Sequence, residues 1–599
     1  SVMSNIRGSA TQFGQETLVT DGRMPTLSKV ISIILEIFGS DEEDHQKVVK
    51  ETFTLFVYVL RVLMGDEVEG CDHSYVVTTY LKQVLNVNSE RVHVRLVECM
   101  TNLFKDAEKI GDKGIDDRKP LDHANIQSAI DLTHCFSYMM QFAISSAFQV
   151  AKKKKEQGQD PTNMLQTLKK SLLELTYIIS DMMRKKNLQD IQHRTLENFT
   201  PVFTALEKLF NQTELGEITR EFFESIRTDD DLKREKEEEE NDNPEKQDET
   251  NKMKLKKRMI SNETRNSGKN LLKLNIAKLK SVHQICERRQ LMAREEFRTS
   301  ILPCMIVMLK KHIVQLNDHN DIEMKWSVLI VKDLCTIVKK AASFDDAWKM
   351  SYLLPQLLKL TTSLLGEDKT IVHYMEATEV IKELQDLDVV GHAVSSLLGI
   401  IEMMLPMQME HFLKRSLGNS PEENSTPKAI WKFMKDLLEV CWHLSTLHKE
   451  EKIYDERWAF VCISHQNIAL RILEWLGKPL KNDFLYDLEK ILDRTRRDAP
   501  GQEVDTAASA TGESLTDQEK MDLWFSYLFS GLAMLNSDTL DLEGSSKNRR
   551  KVVLEQAGDI RNDVCDKIRE VWGALGNRKY SMIKQLVEPL LRLADLKHE

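Results

Sequence analysis

Apolar residues recur at the helical period along almost the whole chain. After Thr426 they fall at Ile430, Phe433, Met434, Leu437, Leu438 and Cys441, the i, i+3, i+4, i+7 series of one buried stripe. Thr426 is placed to cap the free amides of that helix, and Pro427 stands where the first turn needs no donor. Ser40-Asp41-Glu42-Glu43 and Thr516-Asp517-Gln518-Glu519 read as capping boxes, each ahead of an apolar helix. The first is followed by Val48, Val49, Thr52, Phe53, Phe56, Leu60 and Leu63. These acidic residues therefore read as helix starts.

A looser repetition lies over the helices. Phe199-Thr-Pro201-Val-Phe, Ile301-Leu-Pro303-Cys-Met, Leu353-Leu-Pro355-Gln-Leu and Val587-Glu-Pro589-Leu-Leu share an apolar-x-Pro-x-apolar form. Each opens or kinks a leucine-rich helix, since proline is tolerated in a first turn and bends a helix elsewhere. The spacing is uneven, so the pattern predicts an all-α chain built as an irregular armadillo/HEAT-like α-solenoid, with a compact multi-domain helical protein as the alternative. Charge runs and turn-rich stretches divide it. Residues 1–23 form a polar lead-in, 24–226 a helical block, 227–268 a charged mobile loop and 269–499 a second helical block. Residues 500–515 form another loop, and 516–599 a last helical block. Lys152 to Pro161 is a shorter interruption.

Composition agrees. Gly is 23 and Pro 13 of 599 residues, roughly half of ordinary usage, which leaves too few turn formers for β-rich structure. Lys and Arg number 83 against 94 Asp and Glu, a net charge of −11 that argues against a nucleic-acid partner. The 9 Cys are scattered without a CxxC and read as reduced core thiols of a cytosolic protein. Asn-x-Ser/Thr matches at Asn198, Asn211, Asn262 and Asn424 read as chance. The longest apolar stretch, Ala393 to Leu405, is broken by Glu402 and too short to span a bilayer.

Little in the sequence points to catalysis. Asn266-Ser267-Gly268-Lys269 lacks the glycine that a phosphate-binding loop needs at Glu263, and no GxGxxG precedes a helix. Cys441 and His443 diverge by about 200° on a helix, which argues against a metal site with His448. Cys462 and His465 share a face, but read as a core thiol beside a surface histidine. Met403, Met404, Met407 and Met409 read as core filler rather than a partner grip. Lys152 to Lys155 suits a solvated helix end, with anionic lipid or an acidic partner as the functional alternative; Lys547 to Lys551 reads as a solvated helix start. No catalytic, cofactor-binding or metal residue is assigned.

The last eighty residues carry a more specific signal. Leu523-Trp524-Phe525-Ser526-Tyr527, Leu540-Asp541-Leu542-Glu543, Lys547-Asn548-Arg549-Arg550-Lys551-Val552, Gly558-Asp559-Ile560-Arg561, Val571-Trp572-Gly573-Ala574-Leu575-Gly576 and Pro589-Leu590-Leu591 form an ordered series. This series resembles the segment ahead of the exchange region in the dedicator-of-cytokinesis (DOCK) family, with Ile560 where the family has Met. Weaker similarity covers Leu27 to Met64, Tyr75 to Lys105 and Leu274 to Lys340. The resemblance implies the armadillo scaffold of a guanine nucleotide exchange factor for Rho-family GTPases, typically Rac. It also implies an exchange region beyond Glu599 that would carry the catalytic residues. The implied partners are an Elmo-type adaptor and a Rho/Rac-family GTPase through the exchange region; self-association of the chain is left open by the sequence. The implied setting is the cytoplasm, with membrane contact only by recruitment and no cofactor. Trp524, Tyr527, Leu542, Glu543, Arg550, Gly558, Asp559, Arg561, Trp572, Leu575, Gly576 and Pro589 are the family-motif positions, read as structural. Trp572, on the broad face of Val564, Ile568 and Val571, is expected to pack between helices. An independent solenoid adaptor that binds peptides or helices is the second reading, and an enzyme the third.

Overall fold

A computed structural model of the protein describes residues 24–40, 46–64, 74–111, 119–185, 187–226, 272–314, 321–365, 389–417, 425–446, 459–488, 515–537, 540 and 546–594. Among these residues there are helices and no strand, as the pattern predicts. The lead-in 1–23 and the segments 227–268 and 500–514 lie outside the described residues. The chain divides into two compact units between Met305 and Ile306.

The first unit contains α1 (Met24–Gly39), α2 (Gln46–Leu63), α3 (Arg91–Gly111), α4 (Pro120–Glu156), α5 (Thr162–Met183), α6 (Gln189–Phe199) and α7 (Gln212–Ser225). Helices alternate between two rows. Down one row α1 packs on α3, α3 on α5 and α5 on α7; down the other α2 packs on α4 and α4 on α6. Each helix thus buries its stripe against near neighbours in the chain, the arrangement of an irregular α-solenoid. In α3 that stripe is Val92, Leu96, Val97, Met100, Phe104, Ala107 and Ile110. Each such fully buried large side chain contributes about 1.5–3 kcal/mol. Phe142 of α4 lies in the centre, edge-on to Phe56 at 5.1 Å.

Three expectations need correction or refinement here. Helix α4 runs on through Lys155 to Glu156, so only the residues after it interrupt the helices. Its lysines are not all solvated. Lys153 Nζ donates to Asn86 Oδ1 at 2.6 Å and to the Val87 carbonyl at 3.0 Å, while Lys154 pairs with Glu90. With Gln149 accepting from the Val87 amide at 2.9 Å, they hold the connection into α3. Asn211, one of the glycosylation-like matches, caps α7 by accepting from the Glu214 amide at 2.9 Å.

Helix α8 (Glu295–Val314) carries Pro303 in its interior. The second unit then contains α9 (Asp321–Ala341), α10 (Phe344–Met350), α11 (Leu354–Leu365), α12 (Val389–Met403), α13 (Pro406–Arg415), α14 (Pro427–Thr446) and α15 (Ala459–Asp483). It ends with α16 (Asp517–Leu535), α17 (Lys547–Ala557), α18 (Ile560–Ala574) and α19 (Lys579–Ala594). Two rows recur, α9–α12–α15–α18 and α11–α14–α16–α19. The Thr426 cap is present, accepting from the Ala429 amide at 3.2 Å. Thr516 and Glu519 exchange reciprocal bonds at 3.2 and 2.8 Å. Ser40 instead donates to the Ile37 carbonyl at the end of α1, and the rest of that box lies outside the described residues.

Candidate interaction surface of the carboxy-terminal helices

The family-motif positions fall mainly in α16 to α19, where they do different jobs. Trp524 is fully buried and its indole N–H donates to the Phe484 carbonyl at 2.9 Å, just past the end of α15. One turn on, the Tyr527 hydroxyl donates to the Leu473 carbonyl inside α15 at 2.9 Å. Burial, with Glu570 and Glu474 nearby, pushes that phenol well above its ordinary range. Two aromatic side chains of α16 thereby fix both the rotation and the height of α15 against it.

Gly558 and Gly576 end helices at φ 73° and 57°. A left-handed residue closes the last turn without a Cβ penalty, so glycine belongs at both. Asp559 then caps α18, accepting from the Asn562 amide at 3.1 Å. Arg561 donates to the Ser537 carbonyl at 3.3 Å, tying α18 to the end of α16. Leu575 is buried, Arg550 is exposed on α17, and Pro589 lies half-buried inside α19. Leu542 and Glu543 lie outside the described residues.

Trp572 departs from the expectation. Ile560, Val564 and Val571 form the inward line of α18, and residue 572 stands 100° round from Val571. It is half-buried at the rim, with the Lys579 ammonium 5.7 Å from its ring. The tryptophan that packs between helices in this region is Trp524, not Trp572.

The segment following α15 knits the end of the unit together. Tyr486 is buried and donates to the Arg578 carbonyl at 3.2 Å, with the Ser581 hydroxyl at 3.0 Å. Arg578 returns a bond to the Tyr486 carbonyl, and the Asp487 amide donates to Asp517 at 3.0 Å. These bonds set the first turn of α19.

Helix α19 has two apolar lines. Met582 and Leu586 point inward and are buried. Tyr580, Ile583, Val587, Leu590 and Leu591 form the other, at 76%, 44%, 45%, 48% and 62% exposure. At 100° per residue this outer line spans about 100° of the helix and stands about 110° from the inner one. Single exposed apolar residues are ordinary on a surface; five on one face of one helix make a contact surface.

The other candidates that are described sit in ordinary structural settings. Cys441 is fully buried, and burial pushes its thiol up to about 12. His443 pairs with Glu439 at 3.8 Å, and His448 lies outside the described residues. His465 is buried alongside Cys462, not on the surface, and burial raises the Cys462 thiol rather than activating it. Among the described residues no group of side chains could hold a metal ion. Met404 and Met409 are core, whereas Met407 is 82% exposed.

Residues 502–597 match the family model described as the Dedicator of cytokinesis (DOCK) TPR region. Mouse and human dedicator of cytokinesis protein 4 are each 21% identical over 322 residues, covering 53% of this chain and 14% of the relative. Human dedicator of cytokinesis protein 3 is 20% identical over 322 residues, 53% of this chain and 13% of the relative. The matched stretch is thus about one seventh of the length of these curated relatives. The crystal structure of SYS-1 is 11% identical over 91% of this chain and 99% of that one, with a TM-score of 0.15 that supports no structural argument. The family resemblance read from the carboxy-terminal series is borne out by these matches.

Proposed function

We propose that the chain is a helical scaffold segment of a DOCK-type guanine nucleotide exchange factor for Rho-family GTPases, Rac among them. The observation that carries this reading is the outer apolar line of α19, at the end of the stretch matching the family's TPR region. A row of stacked helices that ends on an apolar face calls for one more layer, because such a face is costly in water. In this reading the exchange region supplies that layer and α19 sets its position. The GTPase meets the exchange region, an Elmo-type adaptor meets the scaffold, and a cytoplasmic protein reaches the plasma membrane by recruitment.

Release of fluorescent GDP from Rac tests this. The chain alone is expected to leave release unchanged, while the chain continued through an exchange region accelerates it. Val587→Asp with Leu591→Asp should weaken that acceleration. Acceleration by the chain alone, or indifference to both substitutions, would overturn the reading.

A further inference from the structure

In the first unit, the opening turns of α3 and α5 leave a pocket of about 370 Å³ between them, with Lys154 at the end of α4 beside it. Val97 and Leu168 lie buried in its floor, while Met164 is half-buried and Val94 exposed at its rim. Ligand pockets run from about 300 to 1,000 Å³, so this one has room for a ring-sized group rather than for a nucleotide or a length of chain.

The pocket holds a polar side chain that the fold does not satisfy. His93 of α3 is 1% exposed, yet among the described residues neither of its ring nitrogens has a hydrogen-bond partner. Nδ1 is sealed from solvent, which leaves Nε2 as the nitrogen a ligand in the pocket reaches. Burial lowers the pKa of the ring to about 4, so the imidazole is uncharged at neutral pH. An unpaired buried polar group costs free energy that a ligand with a matching polar atom recovers.

The other polar groups of the lining limit what can enter. The Thr167 hydroxyl donates to the Asn163 carbonyl at 2.9 Å and the Ser171 hydroxyl to the Thr167 carbonyl at 3.2 Å, so both oxygens can only accept further bonds. Asp160 accepts from the Thr162 amide at 3.0 Å and from its hydroxyl at 2.6 Å, and Lys154 is paired with Glu90. Two carboxylates and two acceptor oxygens around one paired ammonium disfavour a carboxylate or a phosphate. An aliphatic ammonium would have to leave water for the apolar floor. A bare phenyl ring would fill the space and leave His93 unpaired. A phenol suits the site: its ring covers Val97 and Leu168, and its hydroxyl, which both donates and accepts, bonds to Nε2 in either imidazole tautomer. The exposed Val94 beside the mouth would be covered by the rest of a peptide, and not by a free phenol.

We infer that this pocket takes the side chain of an unphosphorylated tyrosine from a partner protein, with the tyrosine hydroxyl on His93 Nε2. This goes beyond the scaffold role proposed for α19, which lies in the other unit. The test uses the 599-residue chain and saturation-transfer NMR titrations of capped Ala-X-Val tripeptides, with X as Tyr, Phe, Trp or phosphotyrosine, and of p-cresol. The Tyr peptide is expected to bind at least tenfold more tightly than the other peptides and than p-cresol. His93→Leu should erase the preference for Tyr over Phe, and Val94→Trp, a change at the exposed rim, should block all five probes.

Should His93→Leu fail to fold, the ranking of the probes and the Val94→Trp variant still decide. Equal affinity for the Tyr and Phe peptides, a preference that survives His93→Leu, or binding indifferent to Val94→Trp would overturn the inference. So would binding of the Trp or phosphotyrosine peptide as tight as that of the Tyr peptide, or no measurable binding of any probe. Binding of p-cresol as tight as the Tyr peptide would give the pocket to a free phenol, and would equally overturn the assignment to a partner protein.

Discussion

Gly477 and Tyr527 meet where α15 crosses α16, and their contact tests whether the Tyr527 hydrogen bond sets that crossing. A Cβ placed on Gly477 would stand 3.2 Å from Tyr527 Oη, with Val571 Cγ2 next at 3.5 Å. The hydroxyl cannot retreat without stretching its 2.9 Å bond to the Leu473 carbonyl. With Tyr527 in place, Gly477→Ala therefore sets about 1 kcal/mol of gained helix propensity against a strained bond, and is expected to be neutral or destabilising. Tyr527→Phe alone forfeits one buried hydrogen bond, a loss of about 1 kcal/mol. In the Tyr527→Phe background the obstacle is gone and only ordinary contacts surround the new methyl. There Gly477→Ala should stabilise by about 0.5–1 kcal/mol. The cycle thus predicts a coupling of about 1 kcal/mol, within the range for residues in contact. Amide hydrogen exchange across α15 and α16 reads local opening energies without requiring the whole chain to unfold in one step. Additivity within about 0.3 kcal/mol, or a stabilising Gly477→Ala in the natural background, would refute the reasoning.

Other outcomes follow from single residues. Among the described residues His93 is buried with no hydrogen-bond partner for its Nδ1, and burial lowers its pKa to about 4, with Glu90 opposing and Lys154 reinforcing. Between pH 6.5 and 4 the unfolded chain takes up a proton that the folded chain refuses. Stability should therefore fall through that window by up to about 1.4 kcal/mol per pH unit and level off below it, a slope that His93→Gln should reduce in urea midpoints measured against pH. Gly576→Ala, at φ 57° in open space, should cost about 1 kcal/mol through backbone strain alone, read as a lowered urea midpoint. Val587→Asp, on the exposed line of α19, should change the stability of the chain by less than about 0.5 kcal/mol in thermal melts, so that, under the proposed function, a weakened acceleration of exchange by the chain continued through an exchange region reports contact rather than folding.

Much of this architecture is legible in the sequence because a helix buries whatever its period aligns. The Thr516 box and the stripe from Ile430 to Cys441 are local patterns, and local geometry satisfies them. What escapes is set by neighbours far along the chain. Trp572 lies within 100° of the inward line of α18, and only the position of α19 decides that it sits at the rim. Lys153 and Lys154 look like solvated helix-end charges until residues 85–90 are brought beside them. The two apolar lines of α19 are both visible as residues, but which of them faces the core depends on where α16 lies. His93 and Leu168 are 75 positions apart on different helices, and nothing local indicates that they line one pocket.

The carboxy-terminal helices are held in a way that bears on their proposed role. Apolar contact fixes neither the slide nor the rotation of one helix on another with much selectivity, since the hydrophobic effect has no direction. Here several side chains reach across to a neighbouring backbone carbonyl. Ser530 bonds to Leu438 at 2.8 Å, the Trp431 indole to Glu519 at 2.8 Å, and Arg471 to Glu402 and Met404 at 2.8 and 2.6 Å. With Trp524 and Tyr527, they link α12, α14, α15 and α16. A carbonyl inside a helix keeps a second lone pair after its own helical bond, so each link adds direction without breaking a turn. Helix α19 packs on α16, and its first turn is tied through Tyr486 and Arg578, so its outer apolar line inherits that fixed geometry. A surface meant only to be covered needs no such fixing. A surface that must hold another domain at one angle does, and this is the physical reason for centring the proposed scaffold role on α19.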